Sequence, residues 1–228
     1  MRAILGLAIC GAGASAAFAL ETPAMKVLGL DAAFTSQALD QFKQMGYSMQ
    51  VQVVDFDDPE MGFERFPASM KKAAIFSLVD GFGSNARCAI GVRASNSTRA
   101  PEARIAISAK ALGGDYKEVW RTMFRHEMGH CALGYASLAK GAPDPFLSEP
   151  FADVFALDWS RRLGGEPAKA AGVFMQVRRK MGGGGSHATW PAIERWTQAS
   201  PELSPCVSAW KNSPIDGRGP SEACPKPQ

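Results

Sequence analysis

Two of the three histidines in this 228-residue chain stand four apart, in His126-Glu127-Met128-Gly129-His130, with a glutamate directly after the first. Residues four apart share one face of a helix, so both imidazoles can reach one metal ion. Glu127 then points beside that ion rather than at it, where a general base for an attacking water belongs. The plain alternative is two helix histidines that cap or hydrogen-bond, with Glu127 in a surface ion pair. A chance H-E-x-x-H in a chain of this length has odds on the order of one in a few hundred, which favours the metal.

A catalytic zinc takes three protein ligands and leaves a position for water. No C-x-x-C pair supplies the third ligand, and Ala136 stands where a metzincin continuation would need histidine. The next candidates lie in Ser148-Glu149-Pro150-Phe151-Ala152-Asp153, where two carboxylates sit one helical turn apart. One can bind metal while the other accepts a hydrogen bond from a ligand imidazole and sets its tautomer. Pro150 disfavours helical geometry at Glu149, which keeps Asp153 open as the ligand. A carboxylate placed for the helix dipole is the plain reading of Glu149.

These residues need elements to hold them. Val119, Trp120, Met123 and Phe124 form an apolar stripe at helical spacing. Asp115 is a suitable N-cap, with Glu118 three residues on, and the helix should stop near Gly134. A second helix is predicted from about Pro150 to Leu163, with Pro150 in its first turn. A third spans Pro167 to Met181, its Arg178-Arg179-Lys180 reading as a solvated last turn matched to the dipole. Gly182 to Ser186 is a flexible link, and Thr189 to Ala199 is a candidate last helix. Upstream, residues 31–45 have helical spacing, and Met49–Phe56, Ala73–Val79, Arg87–Ala94 and Arg104–Ser108 read as strands. The expectation is one α+β domain over residues 20–200: a small twisted sheet followed by a helical half, with the metal between two helices.

Met1-Arg2, an apolar run and Ala17-Phe18-Ala19 read as a signal peptide over residues 1–19. Ile9 is too bulky before Cys10 for a lipoprotein box. Residues 20–48 are either a short pro-region or the first helix, and 201–228 form a Pro- and Cys-containing tail. Four cysteines remain after cleavage, an even number that suits two disulfides in an exported chain. Cys206 with Cys224 would staple the tail, and Cys88 with Cys131 would tie a strand to the metal helix; a buried free thiol is the alternative for Cys131. A net charge of +3 is too small to argue for nucleic acid or an anionic membrane. No stable membrane insertion is expected after cleavage, localisation should be secreted or periplasmic, and nothing specifies an oligomeric state.

The two motifs together resemble the gluzincin metallopeptidases. His126-Glu127-Met128-Gly129-His130 matches their first motif, and Glu149-Pro150-Phe151-Ala152-Asp153 is similar to the E-x-x-A-D of the small gluzincins and their membrane-bound relatives. Bacterial secreted metallopeptidases look similar too. The likeness covers roughly residues 103–160. It implies a zincin-like fold, Zn²⁺ on His126, His130 and Glu149, Asp153 behind a ligand histidine, and Glu127 as general base. It also implies a downstream cation that polarises the scissile carbonyl, for which His187, Arg195 or the donor Tyr135 are candidates. By the same analogy Arg104–Ser108 would be the cleft-edge strand that pairs with an extended substrate. The expected activity is hydrolysis of a peptide or protein substrate. An exported, zinc-stabilised binding protein and a zinc amidase acting on cell-wall peptides are the competing expectations.

Overall fold

The computed structural model describes residues 23–57, 70–80, 86–136, 145–181 and 189. The expected signal peptide, the glycine run with His187, Arg195, and residues 201–228 with Cys206 and Cys224 lie outside the described residues, as does the candidate helix after Thr189.

Among the described residues the fold is α+β, with six α-helices and one three-stranded mixed sheet. Helix α1 (Pro23–Val27) and helix α2 (Ala32–Gln44) come first. Asp31 caps α2, its Oδ1 accepting the Phe34 N–H at 2.9 Å, which satisfies one of the donors that a helix start leaves unpaired. The segment weighed as a pro-region contributes Met25, Leu28, Leu30, Phe34 and Phe42 to the core. Arg121 reaches back from the metal-motif helix to the Gly29 carbonyl at 2.8 Å.

Strand β1 (Gln50–Asp55) alternates as expected, with Val51 and Val53 buried between exposed Gln50 and Gln52. Strands β2 (Ile75–Asp80) and β3 (Arg87–Val92) follow, and the order across the sheet is β1-β3-β2. β1 runs parallel to β3, whereas β2 pairs antiparallel to it, with Ser77 opposite Ile90 and Val79 opposite Cys88. β2 is therefore an edge strand.

The fourth expected strand is a helix. Residues Arg104–Ser108 lie within α3 (Pro101–Ala111), and the cleft-edge role assigned to them falls with that correction. Ile105 and Ile107 suggest alternation, but Ala103, Ala106 and Ala109 carry a stronger three-residue spacing and are fully buried, while Ile107 is exposed. Pro101 supplies a first-turn residue that needs no N–H, and alanine favours the helix interior. Gly113, at φ +82°, then breaks the chain from α3 before the next helix.

Helix α4 (Tyr116–Ala136) carries the first motif. Its start is as expected: Asp115 Oδ1 accepts the Glu118 N–H at 2.8 Å. Helix α5 (Pro145–Leu163) begins five residues before the predicted start, so Pro145 occupies the first turn and Pro150 is interior. Helix α6 (Gly165–Met181) begins two residues early, and completes a layer of helices packed on one side of α4, with the sheet on the other.

Candidate metal centre and active-site cleft

The two faces of α4 meet different neighbours. His126, Gly129 and His130 look toward α5, and Glu127, Cys131 and Gly134 look toward the sheet. On the α5 side the helices come close at Gly129. A Cβ built there would lie 2.7 Å from the Ala152 Cα, nearer than real contacts allow. Glycine in the first motif and alanine in the second thus let the two backbones approach, which brings the Glu149 carboxylate up to the imidazoles. Its oxygens lie 3.5 Å from His126 Nε2 and 3.6 Å from His130 Nε2, and the two Nε2 atoms are 3.2 Å apart. Ligand atoms of His126, His130 and Glu149 all fall within 4.8 Å of one another, so this buried group could hold a metal ion.

The donor chemistry fits a cation. His126 Nδ1 donates to Asp153 Oδ1 at 2.8 Å, and His130 Nδ1 is hydrogen-bonded to Ser148 Oγ at 2.7 Å. With both Nδ1 atoms engaged, both Nε2 atoms are turned toward the common point, the arrangement that fixes metal-ligating histidines. The two candidate carboxylates differ in position: Glu149 faces both Nε2 atoms, while Asp153 sits behind His126. The bias at the residue before Pro150 does not prevail, since Glu149 is helical and engaged by both imidazoles and by Arg178 at 3.4 Å.

Arg178, expected as a solvated last-turn cation, turns inward from α6 instead. Its Nε and Nη2 donate to Asp153 Oδ2 at 3.2 and 2.9 Å, while the neighbouring Arg179 and Lys180 are exposed. Thr189 Oγ1 adds a bond to the same Oδ2 at 2.7 Å. Asp153 is wholly buried, which opposes its charge, yet Arg178 and then His126 hold its carboxyl below the usual range. Only the helical period could have flagged Arg178, because it lies one turn past the buried Phe174 on the same face. Thr189 and Ser148 carried no signal in the sequence.

Burial also works against a charge on His126, but Asp153 and then Glu149 outweigh it and raise the imidazole to about 10. The negative field that holds a proton there would favour a metal cation in its place. Burial and the neighbouring His126 charge depress His130 to about 3. Glu127 is pushed up to about 7, chiefly by burial, with His126 and Ser77 opposing the shift.

Against the sheet, Cys131 forms a disulfide with Cys88 across a Cα–Cα distance of 5.6 Å, the expected tie between strand β3 and the metal-motif helix. Between β2, α3, α4 and α6 lies a cleft of about 700 Å³, reaching His126, Glu127, His130, Glu149 and Arg178. Ile75, Ile105, Met123 and Phe174 give it an apolar wall. Tyr135, a candidate donor from sequence, instead pairs its hydroxyl with Ser48 at 2.9 Å.

Comparison of the chain with family models, with curated proteins and with solved structures returned no match. The gluzincin resemblance stands on the two motifs alone.

Proposed function

We propose that the chain is an exported, zinc-dependent metallopeptidase of gluzincin type. The observation that carries this reading is the convergence of His126 Nε2, His130 Nε2 and the Glu149 carboxylate beside Glu127, at the floor of a cleft large enough for a peptide segment. His126, His130 and Glu149 would hold the zinc, which when bound supplies a Lewis acid and lowers the pKa of water toward neutrality.

The chain's own residues do the rest. Asp153 holds the Nδ1 proton of His126 and Ser148 engages Nδ1 of His130, so both rings are oriented with Nε2 outward. Arg178 holds Asp153 ionised and steadies Glu149. Glu127, on the cleft side of α4 next to the ligand His126, would accept a proton from the attacking water and return it to the leaving amine. With α3 removed from the role, β2 is the strand beside the cleft. Its Ile75, Phe76, Ser77 and Val79 line the cleft, and its outer edge is the surface on which an extended substrate would lie. The Cys88–Cys131 disulfide supports an oxidising compartment and so export.

Metal stoichiometry tests the site first. The parent should bind one zinc per chain, and Glu149→Ala should lose it or bind far more weakly. Zinc held unchanged by the variant would remove Glu149 from the ligand set. Glu127→Gln should keep the metal and lower kcat by about 10²–10⁴-fold. Retained turnover in that variant would sink the mechanism.

A further inference from the structure

One polar side chain on the cleft wall has no part in the chemistry so far. Ile75, Ser77 and Val79 are two residues apart on β2, so they share one face of the strand, and all three line the cleft. Serine is the polar exception on that face. Its hydroxyl donates to Glu127 Oε2 at 2.7 Å, the one hydrogen bond of the Glu127 side chain among the described residues. Oε1 forms no hydrogen bond with a described residue. A glutamate has three rotatable side-chain bonds, and fixing it by one oxygen selects one orientation while sparing the other oxygen for proton transfer.

The placement of this contact has covalent support. In the β2–β3 register, Ser77 is opposite Ile90, two residues along from the Val79–Cys88 pair. Cys88 is bonded to Cys131, and Cys131 lies one helical turn beyond Glu127 on the same face of α4. The disulfide therefore pins the sheet to α4 within one strand repeat and one helical turn of the Ser77–Glu127 contact. Further along, β2 follows α4 so closely that Val79 covers Gly134, where a Cβ would collide with its side chain.

We propose that Ser77 is a positioning residue for Glu127: it holds Oε2 from the edge strand so that Oε1 meets the attacking water. The proposal rests on the peptidase reading, in which Glu127 is the base.

The test compares the oxidised, zinc-loaded full chain with Ser77→Ala, Ser77→Thr and Glu127→Gln, using fluorescein-labelled casein as the probe substrate. A charge-assisted hydrogen bond of this kind should count for roughly 10- to 100-fold. Ser77→Ala is expected to lower kcat by that factor with KM and zinc stoichiometry unchanged. Ser77→Thr keeps the hydroxyl and suits a strand, so it should restore kcat to within about threefold. Equal kcat in Ser77→Ala and the parent overturns the proposal, and so does failure of threonine to rescue. A second readout needs no turnover. The ¹³C carboxyl resonance of Glu127, identified by its loss in Glu127→Gln, should move in Ser77→Ala and stay in Ser77→Thr. A resonance unmoved in Ser77→Ala overturns the contact even if casein is not cleaved. Failure of the peptidase reading looks different: Glu127→Gln would be as active as the parent, or the zinc-loaded parent would be inactive while the resonance still responds to Ser77.

Discussion

The two faces of α4 reach the same site by different physical means. Toward α5 and α6, geometry is held by close backbone approach and by charge: Gly129 against Ala152, then Asp153 gripped by His126, Arg178 and Thr189. Toward the sheet there is little charge. A disulfide, a strand register and apolar contact set the cleft wall, with the Ser77 hydroxyl as the polar contact to Glu127. The first face holds the candidate ligands and the second carries Glu127 toward the cleft. A metal site needs its donors fixed to fractions of an ångström with paired buried charges, whereas a cleft wall needs a fixed height and apolar surface. Separating the faces lets one helix serve both.

That contrast predicts which property each substitution disturbs. The largest effect is expected at Arg178→Met, which leaves the Asp153 carboxylate buried without its main cation. It should destabilise the metal-free protein by about 3–5 kcal/mol in urea unfolding and weaken zinc binding. A change under 1 kcal/mol would mean that His126 and Thr189 suffice for Asp153. On the opposite face, Cys88→Ala with Cys131→Ala opens a bridge between residues 43 apart in sequence. The expected cost is about 2–4 kcal/mol, with zinc stoichiometry intact in the folded fraction. Loss of zinc from folded protein would show that the two faces are not independent. Gly129→Ala should cost about 1–3 kcal/mol through overpacking. Unlike the cysteine pair, it should also reduce zinc affinity, because α5 must shift and take Glu149 with it. Competition with a chromophoric chelator measures this directly.

Legibility in the sequence followed the range of the interaction. Asp115 at the start of α4, the helical spacing of α2 and the alternation in β1 were readable because caps and periodicity act within a few residues. Arg104–Ser108 misled because five residues with two isoleucines fit a strand, and the Ala103-Ala106-Ala109 spacing shows only over a longer window. Pro150 misled in the other direction. A local bias against helix at Glu149 was outweighed by packing at Gly129 and by the charges around Glu149, neither of which is near it in sequence. The inward turn of Arg178 was hidden for the same reason, since its partner Asp153 is 25 residues away.

By itself the sequence determined the chemistry available to this protein: two imidazoles and a carboxylate at helical spacing, a second motif with two more carboxylates, and a cysteine pair able to bridge. Those are matters of residue type and of the 3.6-residue period, which any helix imposes. Only the tertiary structure decided that Glu149 faces the imidazoles while Asp153 stands behind one, that Arg178 belongs to the site, and that Ser77 touches Glu127. These depend on how closely α5 approaches α4 and at what height β2 crosses it, distances set by long-range packing and one covalent bridge rather than by neighbours in the chain.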